Sequence, residues 1–377
     1  MYPVAWLESA ADIVGIHRFS GPQETVSCGL FLTCNTRGTH MQRRIALSLM
    51  LLMVFLGTTA VSTSATTLTY ANFPPAPTFP CVQMERWADE VEKRTDGALT
   101  IETFPGGTLL GAKQIWRGVQ YGQADIGCIS LAYQPGLFPL MSVMELPLGL
   151  PSAETASTLM WDLFTSYSPE EFDKVKVLTM FTSAPSNIMS KKPLPDLASL
   201  QGVELRGSGT ASRILEALGA TPVSMPMPDT PQALQKGVVQ GLFSSLEVLK
   251  DLNFAAYCQH VTRTDLQVYP FAVIMNKRVW EDLPESTKKI LNELGPEQAA
   301  WTGRYMDNHV QKALAWAQKE HGLTTHALSA TALEAVQPKL DKLIEEWVQD
   351  ASAKGLPAKA VLRDISARLD KAEAKGE

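Results

Sequence analysis

Histidine and cysteine are scarce in this chain of 377 residues, and each scarcity removes a class of chemistry. The five cysteines (Cys28, Cys34, Cys81, Cys128, Cys258) form no CxxC pair and stand at no Cys/His spacing suited to zinc, so a thiolate metal site is not expected. Of the six histidines, only His260, His309, His321 and His326 lie beyond residue 65. There is no GxSxG, no HExxH and no paired-carboxylate motif beside them, so a hydrolytic nucleophile with its base is missing and the chain is not expected to be an enzyme. The run Pro169-Glu170-Glu171 reads as a solvated helix start. Positive charge is also short. Lys and Arg number 33 against 39 Asp and Glu, a net charge of -6 with no basic cluster, which repels a phosphate backbone and argues against nucleic acid as a partner. Any anion must then be taken by a local site. Internal repeats and low-complexity segments are absent, and no apolar run is long enough to span a bilayer comfortably.

What is present begins with an export signal. Met41-Gln42-Arg43-Arg44, the apolar run Ile45 to Gly57 and the small-residue stretch Thr58 to Ala65 have the three parts of a secretory leader, which predicts a mature start near Thr66. No cysteine stands at the lipoprotein position, so the expectation is a periplasmic protein with no stable membrane insertion after cleavage. Residues 1–40 carry no pattern and read as a start-site artefact upstream of Met41. With Cys28 and Cys34 removed, three cysteines remain and at most one disulfide can form. Buried free thiols are the simpler reading.

Beyond the leader, strand and helix patterns alternate, which predicts an α/β fold. A strand at Thr67–Phe73 is followed by a helix at Cys81–Thr95 with Met84, Trp87 and Val91 on one face. A strand at Leu99–Phe104, a helix at Lys113–Tyr121 and a strand at Asp125–Ser130 complete a βαβαβ unit. Helical patterns at Ala153–Thr165 and Pro169–Lys174 and a strand at Val175–Thr182 follow. A strand pair at Asn187–Ser190 and Leu266–Met275 then flanks the middle of the chain, as if a second lobe were entered and left through two extended segments, and two crossings make a hinge. After Asn276 the pattern is helical: Lys288–Leu294, a long amphipathic stretch Pro296–His321, then Ala330–Ala351 and Pro357–Ala374, which read as a brace for both lobes.

The most informative stretch is Leu200–Ser245. It reads as a strand (Val203, Leu205), Gly207-Ser208-Gly209-Thr210 opening a helix to Leu218, a strand at Thr221–Met225, a helix at Pro231–Val238 and a strand at Gly241. Arg206 ends the first of these strands, the crevice side of an open α/β sheet, where a guanidinium can present a planar fork to a carboxylate. The helix after Thr210 has amide donors to add at its positive end.

Three segments here, Gly202-Val-Glu-Leu-Arg206, Leu218-Gly-Ala-Thr-Pro-Val-Ser-Met-Pro226 and Ala233-Leu-Gln-Lys-Gly-Val-Val-Gln-Gly241, resemble the core signature of DctP-type substrate-binding proteins of tripartite ATP-independent periplasmic (TRAP) transporters. Trp87-Ala88-Asp89-Glu90-Val91, Phe104-Pro105-Gly106-Gly107-Thr108-Leu109 and Val119–Ile126 are similar to earlier parts of the same family, and the likeness runs from about Thr66 to the C-terminus. The resemblance implies a two-lobe, hinged, Venus-flytrap-like binding protein braced by long C-terminal helices. Lobe I would hold 66–183 plus 269–308, and lobe II 184–268 plus 309–377. It implies that Arg206 clamps a small-molecule carboxylate, that the membrane subunits of a TRAP transporter are the partners, and that no cofactor is needed. The rival readings are a binding protein of an ATP-driven importer and a ligand-sensing periplasmic module.

The sequence departs from the family pattern at two polar positions. Ser186 stands where many relatives carry a second arginine, and Gln240-Gly241-Leu242-Phe243-Ser244 stands where they carry Asp-Gly-Gln-Glu-Asn. Asn72 matches a cleft asparagine of some members. With Trp116, Ser130, Tyr133, Phe181, Met227, Phe243, Ser244 and Tyr269 as further candidate lining residues, the expected ligand is a monocarboxylate with an apolar or aromatic body.

Overall fold

The computed structural model describes residues 65–375. Residues 1–40, the leader apart from Ala65, and Cys28 and Cys34 lie outside them.

Strands in chain order are β1 (Thr66–Ala71), β2 (Leu99–Phe104), β3 (Ile126–Ser130), β4 (Val175–Thr182), β5 (Asn187–Ser190), β6 (Glu204–Gly207), β7 (Thr221–Ser224), β8 (Gly241–Ser244), β9 (His260–Arg263), β10 (Pro270–Asn276) and β11 (Thr324–Ala327). The helices are α1 (Phe79–Arg94), α2 (Ile115–Gln120), α3 (Ala153–Tyr167), α4 (Leu197–Leu200), α5 (Thr210–Ala217), α6 (Thr230–Gln235), α7 (Val248–Asp251), α8 (Lys277–Asp282), α9 (Glu285–His321), α10 (Ala330–Ala353) and α11 (Ala358–Lys375).

Apolar strands covered by helices form central strands, and the chain sorts them into two sheets. The first has the order β2-β1-β3-β10-β4. β1 runs parallel to β2 and β3, while β10 runs antiparallel to β3 and β4. Every residue of β3 and β10 is buried. α1 covers this sheet through Met84, Trp87 and Val91, and Trp87 meets Tyr70 of β1 edge to face at 5.9 Å. Burying each such side chain contributes about 1.5 to 3 kcal/mol. The second sheet has the order β11-β9-β5-β8-β6-β7. There β6 is parallel to both β7 and β8, so β6 and β8 end at the same edge.

The segments read as a strand pair, Asn187–Ser190 and Leu266–Met275, do not pair with each other. β5 lies between β8 and β9, while β10 belongs to the first sheet. The chain still crosses between the sheets at these two places, and the crossings run side by side. Ser183 N donates to the Tyr269 carbonyl at 2.9 Å and Ser186 N to the Gln267 carbonyl at 2.7 Å. A third passage is α9, which leaves the first sheet's side and feeds β11, the strand beside β9.

α9 is one helix of 37 residues, although Pro296 predicts a break. Close packing offsets the cost of that proline, about 3 kcal/mol in a helix interior. A Cβ on Gly295 would lie 2.7 Å from the Leu178 carbonyl of β4, and one on Gly303 2.4 Å from the Glu154 backbone of α3. Only glycine lets the helix come so near. Thr179 Oγ1 also donates to the Gly295 carbonyl at 2.8 Å. At the C-terminus α10 rests on α5 and α11 on α3, so the last helices touch elements attached to both sheets.

Glu171 is not the solvated helix residue expected. Its carboxylate accepts from the backbone N–H groups of Leu140 and Met141, each at 3.1 Å. Cys81, Cys128 and Cys258 are free and buried. No helix among the described residues is long and apolar enough to cross a membrane.

Candidate ligand-binding site

Arg206 lies on β6 between β7 and β8 and is 1% exposed. Its Nε and Nη2 both donate to the Met225 carbonyl, at 3.0 and 2.8 Å. Nη2 also reaches the Tyr133 and Ser208 hydroxyls, each at 3.3 Å. Nη1 has no hydrogen-bond partner among the described residues, and no carboxylate there pairs with the guanidinium. The side-on edge of the fork is thus committed to the backbone, and the end carrying Nη1 remains for an incoming acceptor. A buried guanidinium without a counter-charge costs several kcal/mol, and a carboxylate placed on it removes that penalty.

Tyr133 fixes this arrangement. Its hydroxyl accepts from Arg206 and from Met227 N at 2.9 Å, and its ring stands edge to face with Phe73 at 5.4 Å. The Tyr269 ring lies 5.8 Å from the guanidinium carbon, and its hydroxyl donates to the Phe243 carbonyl at 3.0 Å. Burial raises the Tyr269 pKa and the Arg206 cation partly offsets it, so the phenol stays protonated and can donate.

These groups border a cavity of about 50 Å³. Of the residues singled out in the sequence, Arg206, Ser130, Tyr133, Met227, Ser244 and Tyr269 line it. Phe73, Phe79 and Phe271 give it an aromatic wall in which Phe271 is central, 5.5 Å from Phe79 and 6.4 Å from Phe73. The other candidates lie elsewhere. Trp116 packs on Phe138 at 5.0 Å and Phe172 at 6.1 Å in a separate part of the core. Phe181 stacks on Phe271 at 5.4 Å but does not line the cavity. The Phe243 side chain is fully buried, and only its carbonyl serves the site. Asn72 spends its amide locally, Nδ2 donating to the Pro80 carbonyl at 2.7 Å and Oδ1 accepting from Phe73 N at 3.0 Å, which fixes the entry into α1. Ser186 is fully buried in the hinge crossing, bonded to Gln267 at 3.3 Å.

The N-terminus of α5 does not offer its amides to the cavity. Thr210 N donates to Oε2 of Glu145 at 2.9 Å, and burial pushes that carboxyl up to about 7 against the offsetting bond from Thr210. Gly209, which precedes the helix at φ +59, is required there, because a Cβ would stand 2.3 Å from the same oxygen. A protein carboxylate takes the place expected for a ligand's.

Glu247, Asp251 and Ser245 also line the cavity and were not singled out in the sequence. A signal existed. β8 ends at the same sheet edge as β6, so the polar residues that end and follow it, Ser244, Ser245 and Glu247, fall in the same crevice by the rule that picks out Arg206. Glu247 is 3% exposed, and burial pushes its carboxyl up to about 8, with Asp251 raising it further. Asp251 Oδ1 bonds His309 Nε2 of α9 at 2.7 Å. No group of side chains suited to a metal ion occurs among the described residues.

Two mixed sheets joined by adjacent crossings, with an unpaired cation and a cavity between them, define a hinged anion-binding protein. The chain belongs to the DctP family, bacterial extracellular solute-binding protein family 7, which it matches over residues 74–350. Solved structures agree. A TRAP periplasmic solute-binding protein from Desulfovibrio salexigens, with the C-terminus of a symmetry mate in its ligand site, is 58% identical and superimposes with a TM-score of 0.75 over 83% of this chain and 98% of its own. A marine metagenome TRAP protein specific for aromatic acid ligands, in complex with 3-hydroxybenzoate, is 28% identical with a TM-score of 0.77 over 81% and 98%. One from Bordetella bronchiseptica with bound (R)- and (S)-mandelate is 26% identical with a TM-score of 0.77 over 81% and 99%.

Proposed function

We propose that this protein captures a monocarboxylate with an apolar or aromatic body in the periplasm and delivers it to the membrane subunits of a TRAP transporter, making and breaking no bond. The observation that carries the reading is Arg206: a guanidinium 1% exposed, without a carboxylate partner among the described residues, on a cavity with an aromatic wall. The aromatic acids bound by the metagenome and Bordetella relatives support the same ligand class. Residues 66–183 with 269–308, and 184–268 with 309–377, are the two lobes that close on the solute. The cavity of about 50 Å³ is smaller than the ~150 Å³ that holds a benzene ring, so an aryl acid enters with the lobes apart and holds them less tightly shut. A scavenging carrier of this kind binds at about -8 to -10 kcal/mol, a dissociation constant from micromolar to tens of nanomolar.

Thermal-shift titration of the purified protein with benzoate, phenylacetate, mandelate, succinate and malate tests this. Aryl monocarboxylates are expected to raise Tm more than the dicarboxylates do. Arg206→Ala loses most of the shift, and Arg206→Lys recovers only part, because an ammonium does not reproduce the planar fork. Equal shifts in all three proteins, or dicarboxylates outcompeting the aryl acids, would contradict the proposal.

A further inference from the structure

Hydrogen bonds left unmade are concentrated at one place. Eight buried side-chain polar atoms have no protein partner among the described residues, and four of them belong to Ser130, Ser245, Glu247 and Asp251, all lining the cavity that Arg206 borders. A buried oxygen or hydroxyl without a partner costs about 1 to 3 kcal/mol, so an occupant of the cavity that bonds these four is favoured over one that does not. A ligand body made only of hydrocarbon would leave them unmet.

We infer that Glu247 reads a hydroxyl group on the ligand, so that the solutes taken are hydroxylated monocarboxylates, with the carboxylate on Arg206 and the hydroxyl at Oε2 of Glu247. This rests on the carboxylate reading of Arg206 proposed above. Glu247 follows β8 and precedes α7, at the sheet edge that also carries Arg206, so a single small molecule can touch both. Its position argues against the two other polar groups that a ligand's far end could carry. A second carboxylate would be buried beside the Asp251 side chain, a like-charge contact. An ammonium needs acceptors for three donors, and it would share a small cavity with the Arg206 cation and a wall built from Phe73, Phe79 and Phe271. Burial also keeps Glu247 largely protonated near neutral pH, which weakens it as a counter-ion for an ammonium. A hydroxyl fits either state of Glu247, because it accepts from the acid and donates to the carboxylate. Ser130 and Ser245 can complete the same hydroxyl or a second one.

The test is calorimetric titration of the full protein and of Glu247→Met with benzoate, the 2-, 3- and 4-hydroxybenzoates, 4-(aminomethyl)benzoate and terephthalate. Methionine conserves volume and removes the polar atoms. Wild type is expected to bind at least one hydroxybenzoate about 10-fold or more tighter than benzoate, because a site built to bond a hydroxyl rejects the analogue that lacks it. In Glu247→Met the preference should fall to within about 3-fold while benzoate binding persists, which also shows that the variant is folded. Equal binding of benzoate and every hydroxybenzoate by wild type overturns the inference and leaves the carboxylate reading standing, as does a preference that survives in Glu247→Met. Strongest binding of the aminomethyl acid or of terephthalate overturns the hydroxyl class. If none of the acids binds, the reading of Arg206 falls, and this inference falls with it.

Discussion

Arg206 has no carboxylate partner among the described residues, and two carboxyls lack solvent elsewhere, Glu145 on the Thr210 amide and Glu247 on the cavity that Arg206 borders. Glu145 and Glu247 are both buried, and their pKa values rise from 4.5 to about 7 and about 8. Each therefore holds its proton more tightly folded than unfolded. The stability this supplies is full below pH 4.5 and is lost as pH rises to about 7 for Glu145 and about 8 for Glu247, an effect of about 3 to 5 kcal/mol for each. Urea unfolding of the ligand-free protein at pH 5 and pH 8 should show wild type losing several kcal/mol more across that interval than Glu145→Gln/Glu247→Gln. Equal losses would mean that the two carboxyls are not buried as described. At this scale Arg206 was legible, because the end of a strand before a glycine turn has a known place in an α/β sheet. The place of Glu247 after β8 was open to the same rule, but its burial was not, since a carboxylate in a sequence looks the same whether water or phenylalanine surrounds it. Trp116 and Phe181 show the converse. An aromatic residue type says that burial is expected but not against which neighbours, and both were drawn into the core instead of the cleft.

Among the elements, long regular patterns translated directly, and of the short ones β5 and β7 did while β9 and β11 did not. α1, β2, β4 and α10 fall within two residues of the expected bounds, because each has a clear helical or strand pattern or a continuous apolar run. β9 (HVTR) and β11 (TTHA) carry too few apolar residues to be read, and they exist because each completes the other's hydrogen bonds at the sheet margin. Pro296 misled in the opposite direction, since its local rule lost to the packing of Gly295 and Gly303 against β4 and α3. That contact carries its own prediction. Gly303→Leu forces a side chain into the Glu154 backbone, which cannot move aside as a flexible side chain would, and should cost about 3 kcal/mol or more, lowering Tm by roughly 4 °C or more. A variant as stable as wild type by calorimetric unfolding would show that α9 does not approach α3 this closely.

For the whole molecule, the two sheets, the paired crossings and the helix that returns between them make closure the step that binding must favour. On the proposed reading, the desolvation of Arg206 opposes closing on nothing, and a carboxylate reverses the sign. The two-lobe plan followed from the family likeness, whereas the third passage through α9 needed the pairing of β11 with β9 to be seen. The most direct measurement is a crystal structure of the protein with a bound aryl monocarboxylate. A carboxylate oxygen within about 2.7–2.9 Å of Arg206 Nη1, with Nε still on the Met225 carbonyl, is the expected result. A ligand held with its carboxylate away from the guanidinium, or an Arg206 already paired with a protein carboxylate, would contradict the account.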